Sequence, residues 1–258
     1  MSETTGAATS PRIFDANVMV GPTPLRGGQG DAESLLATMQ VYGISEALVA
    51  HTYAWRHDAA TGNSLLAKEL AQHPLLQPCW VVVPWACSEL PEPDDFLAQA
   101  REEGVLSFRL YPSDHGYDVL GHDAGRMIEL LKGYGGPILI DAEQASWPTI
   151  EQLAERHPDL PLVVTCIGYR TLRAVAGALE RHERLHVDLS YLGSHAGLEW
   201  LASRFGSSRI LFGSGFPHRD PADAVTRLMW SELDDADVSA IAGDNLRRLL
   251  GRSGAPDV

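Results

Sequence analysis

The sequence predicts a single α/β domain folded as a (β/α)8 TIM barrel, and three observations predict it. Eight short apolar runs alternate with amphipathic segments along 258 residues. Their spacing of roughly 30 residues suits a barrel of about 250. Most runs are continuously apolar, as parallel strands covered on both faces require. No glycine-rich phosphate loop follows the first run, which weakens the rival doubly wound sheet.

Residues 1–12, MSETTGAATSPR, are small and polar, and read as a flexible tail rather than a signal peptide. The barrel is expected over 13–258. Its first strand is Ile13–Val20. DAESLLATMQVYG then makes a helix, from an Asp31 cap to Gly43. The second strand, Glu46–His51, leads into HTYAWRHD, residues 51–58, which reads as a lid loop. NSLLAKELAQHP predicts a helix starting on Asn63 and stopping before Pro74. Strands follow at Gln77–Pro84, Val105–Tyr111 and Pro137–Asp141. Ser146 is a possible cap for the helix SWPTIEQLAERHP. The last three strands are Pro161–Cys166, Leu185–Ser190 and Arg209–Ser214. DPADAVTRLMWSEL carries Asp220 as cap and Pro221 at the first helical position. A last helix, Asp237 to Leu250, closes the chain.

Composition narrows the function. A hydrophobic content of 45% allows a sizeable core. No apolar run is long enough to span a bilayer. Acids outnumber bases 34 to 20, a net charge of −14, which argues against nucleic acid and anionic membranes as partners. The three cysteines, Cys79, Cys87 and Cys166, show neither a C-x-x-C pair nor metal-ligand spacing. Free thiols in a reducing cytoplasm are expected.

In such a barrel the site lies at the C-terminal ends of the strands. The first strand alternates Asp15, Asn17 and Met19 on one face. Later strands end in or near His51, Arg109 with Tyr111, Asp141, Cys166 with Arg170 beyond it, Asp188, and Ser214 with His218. Asp141 suits a general base, or a partner for Arg109. Arg109 suits a substrate carboxylate, or an internal ion pair with Asp141 or Asp15. Cys166 is a nucleophile or an inert buried thiol. His218 is an acid or base, or ties down its own turn.

Several phrases together resemble the amidohydrolase-related family, in its decarboxylase-like and lactonase-like branch. They are IFDANVMVG, NSLLAKELAQHP, FRLYP, HVDLSYL, ILFGSGFPH and IAGDNLRRLLG, which run nearly end to end. The resemblance implies a metal site: D-x-H-x-H on the first strand, histidines ending the fifth and sixth, and an acid in a G-S-D-x-P-H turn at the eighth. Those ligand positions fall on Asn17, Met19, Asp141, Cys166 and Gly215. The histidines and the eighth-strand acid are all replaced. A divalent transition ion needs several imidazole or carboxylate donors converging on one point, so no metal cofactor of the family type is expected.

The leading expectation is thus a metal-independent hydrolase, lactonase-like, or a lyase, acting on a small carboxylated or cyclic substrate. Asp141, His218, Arg109 and Tyr111 are the candidate catalytic residues. His51, Cys166, Asn17 and Arg170 are the candidate substrate contacts. The alternative is a non-catalytic member that binds a small molecule or pairs with an active relative. A homodimer is expected, or a mixed dimer with a related chain. A weaker possibility is a metal site rebuilt around His51, His57 and Asp141.

Overall fold

The computed structural model describes residues 11–23 and 30–252. The expected tail, 1–12, falls outside these except for its last two residues. Eight strands form one parallel sheet in sequence order. They are β1 Ile13–Val20, β2 Ile44–His51, β3 Leu76–Val81, β4 Ser107–Leu110, β5 Ile138–Asp141, β6 Leu162–Thr165, β7 Leu185–Asp188 and β8 Ile210–Leu211. All eight match expected strands, with later ends trimmed by a few residues. The last meets the first through backbone bonds: Ala16 N–H to Phe212 O at 2.9 Å and Gly215 N–H to Asn17 O at 3.0 Å. The sheet thereby closes into a (β/α)8 barrel.

Around it pack α1 Ala32–Tyr42, α2 Thr52–Arg56, α3 Ala59–Leu70, α4 Pro93–Glu102, α5 His122–Tyr134, α6 Trp147–Arg156, α7 Leu172–Arg181, α8 Gly197–Phe205 and α9 Pro221–Met229. The final helical stretch runs as α10 Asp235–Ser239, a π-turn Ala240–Asp244, and α11 Asn245–Leu249. Asp31, Ser146 and Asp220 cap α1, α6 and α9, each accepting a first-turn backbone N–H.

Two expected elements differ. Residues 51–58 are not simply a loop: Thr52–Arg56 forms the short helix α2, started by His51 Nδ1 accepting the Tyr53 N–H at 3.0 Å. The next helix starts at an Asp58 cap, not at Asn63. Asn63 lies inside α3, buried. Its amide donates to Val81 O at 2.8 Å and accepts from Val81 N–H at 3.0 Å, satisfying the end of β3. A buried amide that closes two backbone groups outweighs its cap propensity.

At the opposite end of the barrel from the strand tips, Glu46 is buried and holds Arg247 at 2.7 Å and Arg252 at 3.0 Å, both from the chain's last stretch. Among the described residues no helix is long and apolar enough to cross a membrane.

Candidate active site

A cavity of about 390 Å³ opens at the strand tips, a volume suited to a small molecule. Asn17, Met19, Arg109, Asp141, Cys166 and His218 are among its walls. The barrel thus brings together four of the expected site residues from β4, β5, β6 and the turn after β8, with Asn17 from β1.

Arg109 is the hub of the floor. One guanidinium nitrogen donates to Asn17 Oδ1 at 2.8 Å, to Thr165 Oγ1 at 3.1 Å and to Asp141 Oδ1. Asp141 also accepts from the Thr165 hydroxyl. Burial disfavours the Arg109 charge, but the Asp141 carboxylate outweighs it and holds the guanidinium above its ordinary range. Of the two open readings of Arg109, the geometry shows the ion pair, and its partner is Asp141.

Beneath this lies a second polar layer. Asn17 Nδ2 donates to Asp188 Oδ2 at 2.9 Å and Ser190 Oγ at 3.2 Å, with Cys166 Sγ at 3.5 Å. Asp188 Oδ1 accepts the Cys166 N–H at 2.8 Å, holding Cys166 at φ 60°. Asp15 Oδ1 accepts the N–H groups of Asn17 and Ser214 at 3.0 and 2.9 Å, which stitches β1 to the turn after β8. Burial pushes Asp15 up to about 7 and Asp188 up to about 6, against the hydrogen bonds that favour their charged forms. Burial also pushes the Cys166 thiol up, so it is no ready nucleophile.

The turn after β8 keeps its shape for steric reasons. A Cβ at Gly213 would stand 2.5 Å from Asp188 Oδ2. Gly215 has φ 75°, a left-handed conformation that glycine adopts without strain. The turn delivers His218 to the cavity wall. Burial lowers its pKa, which favours the uncharged imidazole, and its Nε2 is buried without a hydrogen-bond partner among the described residues.

Three expected site residues lie elsewhere. Tyr111 is fully buried; its hydroxyl points at Met19 Sδ, 3.9 Å away, and its ring stacks under Trp55 at 5.0 Å. Burial holds its pKa well above the ordinary value. His51 is buried against Glu69 at 3.7 Å and serves as the α2 cap. Arg170 is exposed and lines none of the cavity. The rebuilt metal site also fails to assemble: His57 stacks on Tyr53 at 4.8 Å, and His51 faces Glu69. Among the described residues no three His, Cys, Asp or Glu side chains converge to hold a metal.

The sequence marks the lid segment 51–58 but not the partners that make it a rim. Trp55 lies between Tyr111 and the Arg56 guanidinium, which sits 3.4 Å from its ring. Its indole N–H donates to Asp114 at 2.6 Å, Gln144 donates to the same carboxylate at 2.9 Å, and His115 Nε2 meets Trp55 O at 2.8 Å. The only sequence signal was the density of aromatic and charged residues in HTYAWRHD.

An amidohydrolase family model matches residues 27–252, and the chain belongs to that family. No curated protein matches it in sequence. Solved structures with the same fold include a putative 2-pyrone-4,6-dicarboxylic acid hydrolase from Pseudomonas putida: 16% identity, TM-score 0.73, covering 96% of this chain and 100% of that one. A 5-carboxyvanillate decarboxylase from Sphingomonas paucimobilis is similar at 14% identity and TM-score 0.73, over 94% and 99% of the two chains. A 2,6-dihydroxybenzoate decarboxylase from Rhizobium is similar at 14% and 0.72, over 95% and 100%.

The residues at the ligand positions implied by the resemblance do not fit a divalent metal. Gly215 has no donor atom. The Asn17 oxygen and Asp141 Oδ1 are both bound to Arg109, whose positive charge would oppose any cation placed between them.

Proposed function

We propose that this amidohydrolase-family barrel is a metal-independent hydrolase that opens a small cyclic ester or a related ring. The observation that supports it is that an imidazole whose Nε2 has no partner among the described residues, His218, and a carboxylate, Asp141, share the wall of one cavity. His218 Nε2 takes a proton from water, and the oxygen of that water bonds to the ring carbonyl carbon. The ring C–O bond then breaks, and the departing oxygen takes the proton back from the imidazolium. Asp141 offsets part of what burial and the Arg56 and Arg109 charges cost the imidazolium, while Arg109 and Thr165 fix the position of Asp141. Asn17 and Cys166 contact the substrate from the floor. Hydrolysis is favoured over a lyase reaction on a carboxylate, because the Arg109 charge is already matched by Asp141.

The test is turnover of a panel of small lactones by wild type, H218A and D141N, with elemental mass spectrometry of the same samples. Loss of the general base should lower kcat by about 100-fold or more. Full turnover in both variants would defeat the assignment, and one tightly held metal per chain would defeat metal independence.

The closed hydrogen-bond network on the floor also favours a second reading, a non-catalytic member that binds a small molecule or pairs with a related chain. Affinity capture from the native host, bringing down a family relative with this chain and no turnover of the panel, would select it.

A further inference from the structure

We infer that the ligand of this site carries a positive charge, an amine on a small ring-sized body, and that a second cavity beside the first receives the ammonium group. The inference rests on reading the strand-tip cavity as the substrate site, though not on any hydrolytic step.

The second cavity, about 510 Å³, shares Trp55, Arg56 and Asp114 with the first. It adds Glu89, Asp118 and Asp123. The first contributes Asp141 and Glu143. Along the two walls, six carboxylates therefore face two guanidiniums among the described residues. Each guanidinium already faces a carboxylate. Arg109 is buried and bound to Asp141, and Arg56 lies flat on Trp55 within 4.0 Å of Asp114. Arg219, beside the cavity wall, is held by Asp223 at 2.8 Å over the Tyr191 ring. A carboxylate entering here would meet surplus negative charge, with both guanidiniums already opposite carboxylates. An ammonium would meet the reverse, and the chain's net charge of −14 extends the same bias outward.

A second observation points to a ligand in the same place. Tyr117 lies on the wall of the second cavity, and its hydroxyl is buried without a hydrogen-bond partner among the described residues. The Nδ1 of His115, on the same wall, is in the same condition. Buried polar atoms are seldom left unpaired, and an ammonium with three donors can supply a hydroxyl oxygen and a neighbouring carboxylate together.

The test uses three probes of one shape and different charge: benzylammonium, benzyl alcohol and benzoate. Their Kd values are measured by isothermal titration on the full chain at low salt, with Trp55 fluorescence as a second readout. Benzylammonium should bind about tenfold more tightly than benzoate, with the alcohol between them. The preference should shrink in 0.5 M salt, roughly as screening dictates. It should also shrink in E89Q/D123N, whose exposed side chains make no hydrogen bond or ion pair among the described residues. Benzoate binding as tightly, no binding of benzylammonium, or an unchanged preference in E89Q/D123N would each overturn the inference. Because the measurement is binding alone, a chain that prefers the amine yet opens no lactone would refute only the hydrolytic reading.

Discussion

The floor and the rim of the cavity are built differently from similar residue types. On the floor, strands β1, β4, β5, β6 and β7 hold Asn17, Arg109, Asp141, Thr165 and Asp188 in one closed network, where each charge is met by a partner. On the rim, α2 and the segments after β4 and β8 carry Trp55, His115, Tyr117 and His218, and three of these keep a buried polar atom with no partner among the described residues. The strands pair the floor's charges with one another, though Arg109 Nε keeps no partner among the described residues, whereas short helices and turns leave groups turned outward. The difference teaches that the floor supplies stability and position, and it leaves recognition, in the function proposed above, to the rim.

Breaking the floor should have the largest effect. R109M leaves the Asp141 carboxylate with its charge unpaired, and should cost about 3–5 kcal/mol in urea denaturation. The double variant R109M/D141N should recover most of that loss, since it removes both charges together. A single-variant cost under about 1 kcal/mol would show that the floor is not one unit. On the rim, W55A removes the stack on Tyr111 and the indole bond to Asp114, and should cost about 2 kcal/mol while joining the two cavities. D114N keeps the shape and loses a charge, so about 1 kcal/mol or less is expected from the same measurement. The last test is pH. Burial lowers His218 below its ordinary 6.5 in the folded chain, so the unfolded chain takes up the proton first as pH falls. Its contribution to stability should therefore be lost as pH drops through 6.5, against the gain that the raised Asp15 and Asp188 supply over the same range, and H218Q should remove the His218 part in thermal melts.

Much of this was legible in the sequence. The strands stand out because burial on both faces leaves continuous apolar runs such as Leu162–Thr165. The strand tips mark the cavity because the barrel's topology fixes which end faces the ligand. Other features depend on three-dimensional convergence. Arg109 could have reached a substrate, Asp15 or Asp141, and only the packed barrel selects Asp141. Asn63 looks like a helix start because amides favour caps, yet its partner is the backbone of Val81, 18 positions away. Tyr111 ends an expected strand in the right place, but Trp55 covers it, and no pattern in either segment announces that contact. The second cavity is assembled from α2, the segment after β3, the β4–α5 connection and α5, none of which carries a recognisable motif.

The join between β8 and β1 has a bearing on how the molecule assembles. The bond from Ser214 N–H to Asp15 Oδ1 links residues 199 positions apart, and the Gly215–Asn17 backbone bond lies beside it. Contacts of such separation carry the greatest loop-closure entropy, and form after the local strand–helix units. Asn17 and His218 therefore face each other only in chains that have finished this longest closure. A partly folded chain has no cavity to offer, and a ligand that binds across the join favours completion of the whole barrel.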